Sequence, residues 1–345
     1  MLEVIECIVK NKTIIILVLI YIVVFVISFF KGRYDATISE TIRAIFGQGD
    51  TILANIILRT RLPRILIASL CGVALSLDGV VFQAILRNPL ASSQVIGVTS
   101  GASFGAAFAI VVFSGSIIYI QLISFSFGII AVLLSLLLSS FIKNKSDLSL
   151  VLSGLIVTAF FSALLSIFIL ISEPHTQTPT IVFWLMGSFN RVSMTNILHL
   201  LLPFGLAIIF CMSTAWKMNV LTLGDDHAKN LGVDIKKYKI IYIIFVTFFT
   251  SCIIALCGAI GWVGLFIPHV CRIFVGNDHR KLIPNSIVLG ATCMVILDTL
   301  ARSLFQMEIP IGILVSLFGA PLFFVAFIIN NKKFKIGSLR GKNEN

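Results

Sequence analysis

TIIILVLIYIVVFVISFF, residues Thr13 to Phe30, is an apolar stretch of 18 residues without a charged side chain. The hydrocarbon core of a bilayer is about 30 Å thick, and a helix needs about 20 apolar residues to cross it. Lipid offers no hydrogen bonds to the backbone, so a lone spanning segment has to be helical. The stretch therefore predicts a membrane-spanning α-helix.

Similar stretches recur along the whole chain of 345 residues, of which 58% are hydrophobic and 12% charged. Ordinary soluble domains carry about 25% charged residues. We expect an all-α, polytopic membrane protein with about ten transmembrane helices in one domain, residues 1–345. The predicted spans are Thr13–Phe30, Leu62–Leu86, Ser93–Ser114, Ile117–Ile142, Leu148–Ile171, Asn196–Trp216, Tyr238–Gly261, the short and broken Val263–Gly276, Leu282–Ser303 and Ile311–Asn330.

The distribution of basic residues predicts the orientation. Ten spans place both termini on one side, and that side then holds 18 of the 26 lysines and arginines. By the positive-inside rule both termini are cytoplasmic, including a basic tail at residues 331–345. The net charge of +11 is thus explained by topology and contact with anionic lipid, and we expect no nucleic-acid partner.

Charges inside predicted spans are costly and are functional candidates. Asp298 and Arg302 are four residues apart, the spacing of an internal ion pair. For Asp78, a hydrogen-bonded carboxyl is favoured over a proton relay, and for His269 a core histidine is favoured over a ligand. The scattered cysteines and the lack of ligand spacing support no metal site.

Motifs of catalytic proteins give little support for an enzyme in this sequence. Gly101 to Gly105 matches the Gly-x-Ser-x-Gly pattern around Ser103, but small residues at four-residue spacing in a span favour close helix packing. A membrane hydrolase using Ser103 or His269 is the alternative. The chain contains neither HExxH nor a phosphate-binding loop, so any ATP is hydrolysed by another chain.

One polar stretch, LTLGDDHAKNLGVDIKK at residues 221–237, separates two long spans on the side predicted to be cytoplasmic. Asp225 is suited to cap a short helix, and Gly232 is suited to the position just after its end. A solvated helix without an apolar stripe wide enough for a core is typical of a segment that binds a partner; a surface linker is the alternative.

Seven pieces of the sequence resemble one family. They are RLPRILIASLCGVALSLDGVVFQAILRNPLASSQVIGVTSGAS from Arg61, WLMGSF from Trp184, MNVLTLGDDHAKNLGV from Met218, GAIGWVGLFIPHVCR from Gly258, DHRKLIPNSIVLGA from Asp278, LDTLAR from Leu297 and EIPIGILVSLFGAPLFF from Glu308. In this order they resemble the FecCD permeases, the membrane subunits of type II ABC importers for iron-siderophore, haem and cobalamin.

The resemblance implies a permease subunit, not an enzyme, in the cell membrane. It pairs across a two-fold axis with a second copy or a sibling chain, and works with a cytoplasmic ABC ATPase dimer and an extracytoplasmic substrate-binding protein. The permease binds no cofactor itself; ATP and Mg²⁺ are used by the ATPase.

The resemblance also implies roles for residues of this chain. The segment that couples to the ATPase matches Leu223, Gly224, Asp225, Asp226, His227, Ala228, Lys229, Asn230, Leu231 and Gly232. The inner gate matches Asn88, Pro89, Leu90, Ser146, Asp147 and Leu148, with Pro89 expected to end the second span. Docking of the binding protein matches Arg61, Arg64 and Arg302, for which contacts within the protein or with lipid are the alternative.

The cargo is the least determined feature of the sequence. Ferric siderophore is the first expectation, and haem, cobalamin or molybdate are the alternatives. A different class, an ion-coupled secondary transporter, would use Asp78 and Asp298 as proton or cation sites.

Overall fold

A computed structural model describes residues 12–32, 37–46, 48, 51–142, 147–304 and 307–340, and every regular element in these ranges is helical. The elements in chain order are α1 Lys12–Phe30, α2 Ile38–Ile45, α3 Thr51–Ile85 with a π-helical turn at Ile56–Arg61, a 3₁₀ turn Ser93–Ile96, α4 Val98–Val112, α5 Ile117–Phe141, α6 Asp147–Ile171, α7 Gln177–Leu185, α8 Met194–Ser213, α9 Ala215–Thr222, α10 Asp225–Asn230, α11 Ile235–Cys257, α12 Val263–Val275, α13 His279–Ser303 and α14 Ile311–Arg340.

Eight of these helices are long and apolar enough to cross a membrane: α1, α3, α5, α6, α8, α11, α13 and α14. The predicted all-α polytopic architecture is confirmed. Two further apolar helices are shorter, α12 with 13 residues and α4 with 15. A short α12 was predicted, whereas the span Ser93–Ser114 was expected to be continuous. It is divided because Gly97, with a φ of 90°, separates the 3₁₀ turn from α4.

Helix α3 forms the centre of the bundle, and nearly all of its residues from Pro63 to Ile85 are buried. It packs against α1, α11, α12 and α13. Two glycine pairs bring it close to its neighbours: Gly72 lies against Gly290 of α13, and Gly79 against Gly264 of α12. A Cβ on Gly72 would lie 2.1 Å from the Gly290 carbonyl oxygen, so main chain touches main chain at this crossing.

Helices α4 and α5 pack through the small residues singled out in the sequence. A Cβ on Gly101 would stand 2.4 Å from the carbonyl oxygen of Phe127, and one on Gly105 would stand 2.7 Å from that of Ile123. Ser103 lies within α4 and is 4% exposed. The packing interpretation of this motif is confirmed, and the strand–turn–helix setting of a nucleophile serine is not found there.

Three segments at or just beyond helix ends, residues 186–188, 257–258 and 311–312, join through their backbones. The N–H of Ser188 donates to the Cys257 carbonyl at 2.7 Å. The N–H groups of Ile311 and Gly312 donate to the carbonyls of Gly187 and Met186 at 3.1 and 3.0 Å. We call this arrangement the main-chain clasp; it satisfies backbone groups that a helix would otherwise pair.

The periphery is apolar and open. In the 18-residue apolar segment of α1 only 11% of the residues are buried within the chain, and in that of α6 only 17% are. Such wide apolar faces are stable only against lipid or another protein. The arrangement therefore fits a membrane environment.

Candidate functional site

Helix α10 projects as a short polar element between longer helices. Ala228 on its inner side is completely buried, whereas Leu223 and Leu231, which flank it, are 59% and 51% exposed. The acidic residues Asp225 and Asp226 are exposed as well. Exposed leucines beside exposed charges give α10 the mixed surface of a docking element.

The end of α10 agrees with the sequence prediction. Gly232 has a φ of 72°, and its N–H donates to the Lys229 carbonyl at 2.9 Å. The N–H of Val233 donates to the Ala228 carbonyl at 3.0 Å. These two bonds make a Schellman motif, which favours glycine because a side chain is strained in the left-handed conformation.

The start of α10 does not agree, and the predicted cap at Asp225 is wrong. Gly224, with a φ of 108°, occupies the capping position, and no side chain caps the helix. Asp225 is the first helical residue, and its Oδ1 lies 3.0 Å from Nη2 of Arg87 and 3.9 Å from Nζ of Lys239. Because glycine makes the turn by itself, the carboxylate is available for this ion pair.

Arg87 belongs to the turn that follows α3, residues 86–92; because this turn contains the predicted gate residues Asn88, Pro89 and Leu90, we call it the gate turn. Helix α3 ends at Ile85, one residue before the predicted end of the span at Leu86 and four residues before Pro89. The backbone leaves the helix at Arg87, whose φ is 47°, an uncommon conformation for a non-glycine residue. Asn88 then accepts the N–H of Leu90 on its side-chain oxygen at 2.9 Å, and Leu90 is 50% exposed.

The second half of the predicted gate lies at the start of α6. Ser146 lies outside the described residues, as does the side chain of Asp147. Leu148 is 62% exposed. Helix α6 also supports the chain beyond the gate turn, because a Cβ on Gly154 would stand 2.1 Å from the carbonyl oxygen of Val95 in the 3₁₀ turn.

Asp78 holds the other side of the gate turn. Its carboxyl is buried in α3 and accepts the N–H of Ser93 on Oδ2 at 3.0 Å and the hydroxyl of Thr250 on Oδ1 at 3.3 Å. The predicted hydrogen-bonded carboxyl is thereby confirmed. A cavity of about 10 Å³ beside it is also lined by Trp262 and Gly264.

Polar contacts also fix the end of α3 and the start of α13 on this side of the bundle. Gln83 accepts a hydrogen bond from Arg272 at 2.6 Å. Asp278 caps α13 through the N–H of Arg280 and accepts the side-chain amide of Asn219 at 2.7 Å. Burial opposes ionisation of Asp278, but the hydrogen bonds from Arg280 and Asn219 outweigh it and lower the pKa to about 2.

The three arginines expected to dock a binding protein lie at the opposite end of the bundle, Arg61 and Arg64 in α3 and Arg302 in α13, and all three are buried. Arg61, Arg64 and Arg302 are 3%, 6% and 5% exposed. Nε of Arg64 lies 2.6 Å from Asp298 Oδ1, and Nε of Arg302 lies 3.1 Å from Asp298 Oδ2. Arg64 also pairs with Glu308. The predicted Asp298–Arg302 pair is confirmed as part of this larger network.

Backbone carbonyls of α1 complete these arginine contacts. Arg302 donates to the carbonyls of Ser28 and Lys31 at 3.0 Å, and Arg61 donates to those of Phe29 and Phe30 at 3.2 Å. These contacts favour the structural alternative for the three arginines, and docking of a binding protein stays a prediction. Their guanidinium groups join α1, α3 and α13.

A polar cavity of about 520 Å³ opens beside this network. Its lining residues are Arg64, Phe183, Gly187, Ser188, Phe189, Asn190, Arg191, Met307, Glu308, Ile309, Pro310 and Ile311. Burial lowers the pKa of Arg191. Asn190 hydrogen-bonds both Arg64 and Glu308. Neither Asn190 nor Glu308 was predicted as a functional residue from the sequence, although Glu308 stands just before an apolar span and this position was a usable signal.

His269 is packed inside the bundle and is not part of a metal site within the residues that the structure describes. Nδ1 of His269 lies 2.7 Å from the carbonyl oxygen of Leu265, and its ring packs edge-on against Phe323. This is the predicted core histidine. Among the described residues, no group of three or more His, Cys, Asp or Glu side chains is placed to hold a metal ion.

Comparison with known proteins agrees with this geometry. The sequence model of the FecCD transport family matches residues 19–329. The molybdate import system permease protein MolB of Haemophilus influenzae is 40% identical over 89% of this chain and 92% of its own length. A probable iron chelatin transport system permease protein of Helicobacter pylori is 36% identical over 79% of this chain and 82% of its own.

A solved structure supports the same assignment. It is an inward-facing conformation of an ABC transporter assigned to the metal-chelate type. Its sequence is 40% identical, and the match covers 92% of this chain and 99% of that one with a TM-score of 0.84. The chain therefore belongs to the FecCD transport family and is a multi-pass permease subunit of an ABC importer in the cell membrane.

Proposed function

We propose that α10 and the residues around it, 223–232, dock into a cytoplasmic ABC ATPase that uses ATP and Mg²⁺ in a separate chain. The observation that carries this proposal is the exposure of Leu223, Leu231 and the acidic start of α10 on an otherwise membrane-embedded chain. Both termini lie on the same cytoplasmic side. The excess of lysine and arginine there supports this orientation.

The gate turn and the start of α6 form the inner gate of the importer. Asn88, Pro89 and Leu90 lie in an exposed turn at the α10 end of α3, which supports this role. The opposite end of the bundle receives the extracytoplasmic binding protein. The permease pairs with a second copy or a sibling chain, and its wide exposed apolar faces support such pairing beside lipid.

The cargo is a molybdate-type oxyanion or a ferric siderophore. Molybdate is supported by the relative of 40% identity, and ferric chelate by the relative named for iron chelatin. Uptake of radioactive molybdate and of a radioactive ferric hydroxamate by cells expressing the whole importer tells the two apart. Uptake of haem and of cobalamin is measured in the same cells. Uptake of haem or cobalamin without uptake of molybdate or ferric hydroxamate would contradict both proposed cargoes.

The docking role of α10 is tested by replacing Gly232 with proline. Proline fixes φ near −65°, whereas Gly232 has a φ of 72°, so Gly232→Pro distorts the end of α10. We expect uptake to fall at least about tenfold while the protein still reaches the membrane and the ATPase still hydrolyses ATP.

Gly115→Pro is the matched control, since Gly115 has a φ of 73°, open surroundings like those of Gly232, and lies between α4 and α5 away from α10. Uptake should stay near the wild-type level in this control. Normal uptake by Gly232→Pro would overturn the proposal. An ATP-independent uptake driven by a pH gradient would instead support an ion-coupled transporter.

A further inference from the structure

The gate turn is held at both of its ends by polar contacts to other helices. At one end Arg87 pairs with Asp225, the first residue of α10, at 3.0 Å. At the other end the N–H of Ser93 donates to the buried Asp78 at 3.0 Å. The segment between these two contacts contains Asn88 to Leu90.

The two contacts differ in how firmly they are placed. Asp78 is 2% exposed and lies in the central helix α3, which is packed on several sides. The Asp225 side chain is 50% exposed and belongs to a six-residue helix that is anchored through Ala228. One contact is therefore fixed in the core, and the other belongs to an element that can shift with a bound partner.

The backbone of Arg87 also marks the position as special. A non-glycine residue with a φ of 47° is strained, and such strain persists where the surroundings hold it. Nη1 of Arg87 would lie 3.5 Å from a Cβ placed on Gly224, so the guanidinium rests directly on the start of α10. A Cβ at position 224 would touch the guanidinium at an ordinary van der Waals distance.

We propose that the Arg87–Asp225 pair transmits the movement of α10 to the gate turn, with Asp78 as the stationary anchor. The inference rests on the proposed function, since it takes α10 as the ATPase-docking helix and residues 88–90 as the gate. Asp225 pulls or releases Arg87 when the ATPase moves α10. The chain is held at Ser93, so the displacement is concentrated in the turn between them.

An exposed ion pair of this kind adds little to stability, so its loss should leave the fold intact. This makes a functional readout possible. The experiment uses the whole complex of permeases, ATPases and binding protein in liposomes. It measures uptake per ATP hydrolysed, with radioactive molybdate and a radioactive ferric hydroxamate as probes.

Asp225→Asn and Arg87→Gln should each lower uptake per ATP about tenfold, and the double variant should be no worse than either single one. Exchange of the charges, Arg87→Asp with Asp225→Arg, should recover part of the uptake. Glu40→Gln is the control, because it also removes one exposed carboxylate, glutamine can keep its place in the capping box of α2, and Glu40 forms no ion pair among the described residues. Lys239→Gln tests the second cation near Asp225 and should have the smaller effect, since that contact is 3.9 Å long.

Three outcomes would overturn the inference. The first is an unchanged uptake per ATP in Asp225→Asn, and the second is a loss in the double variant equal to the product of the two single losses. The third is weaker binding of the ATPase to Asp225→Asn, measured by co-purification. The last result would make Asp225 a docking residue. Failure of the proposed function gives a different result, since the wild-type complex would then show no ATP-dependent uptake of any probe.

Discussion

Gly79 of α3 and Gly264 of α12 lie so close that a Cβ on Gly79 would stand 1.7 Å from the Gly264 carbonyl oxygen. The two helices thus meet main chain to main chain, directly beside the buried Asp78. Helix α12 is short, and this crossing fixes where it lies against the central helix.

We expect Gly79→Ala to destabilise the protein by about 1–3 kcal/mol, because the methyl group has no space unless α3 and α12 move apart. Gly205→Ala in α8 is the control, since nothing lies within 4 Å of its added Cβ. That change should be neutral or stabilising by up to about 1 kcal/mol through helix propensity. Thermal unfolding of both variants in detergent measures the difference; equal midpoints would contradict the close crossing.

Asp298→Asn should be strongly destabilising. The carboxylate is 0% exposed between Arg64 and Arg302, and its removal leaves two buried guanidinium groups without their shared counter-charge. Breaking a buried pair in this way costs about 3–5 kcal/mol. The yield of monodisperse protein and its unfolding temperature report the loss. The exposed Asp226→Asn should stay within about 0.5 kcal/mol of wild type.

Burial of the outer arginines predicts that Arg302→Gln acts on folding and not on docking. Less folded protein should be recovered, but the part that folds should bind the extracytoplasmic binding protein with unchanged affinity. Arg59→Gln is the comparison, since Arg59 is exposed and belongs to the same helix as Arg61. Weaker binding of the binding protein by Arg302→Gln, at a normal yield of folded protein, would instead support a docking role for Arg302.

The lowered pKa of Asp278 predicts that the stability of the protein depends on pH. The pKa of this carboxyl is lowered from 3.8 to about 2, so its ionised form favours the folded state. This contribution is complete above about pH 4 and is lost as the pH falls toward 2. Asp278→Asn still offers a cap but no charge, so it should lower stability at pH 7 by at most about 2 kcal/mol. The two proteins should unfold at more similar temperatures at pH 3; a constant gap would show that charge is not the cause.

Orientation in the membrane can be measured with single cysteines at exposed apolar positions. Leu223→Cys and Leu231→Cys should react with an impermeant maleimide only in inside-out vesicles, and Met307→Cys, 79% exposed at the opposite end, only in intact cells. The parent protein gives the background. Reaction of Leu223→Cys in intact cells would place α10 outside the cytoplasm.

Much of this architecture could be predicted from the sequence because hydrophobic length and glycine position are local signals. The long apolar stretches became helices, and Gly232 ended α10 in the left-handed conformation. Ion pairs four residues apart on one helix, such as Asp298 and Arg302, are visible in the same way.

Contacts between distant segments were not predictable. Arg64 and Glu308 are 244 positions apart, and only the packed bundle shows that Arg64 is buried against it. The pairing of Arg87 with Asp225 likewise depends on two turns that meet in space. The division of the third span at Gly97 was missed because glycine within an apolar stretch is also common in continuous spanning helices.

The main-chain clasp has a mechanical consequence. Opening it would expose the N–H and carbonyl groups of residues 186–188, 257–258 and 311–312 without new partners. Its backbone hydrogen bonds are therefore costly to break one at a time. We expect the clasp to act as a pivot. The helix ends near α10 move during each transport cycle, while the three segments joined at the clasp rotate relative to one another without separating.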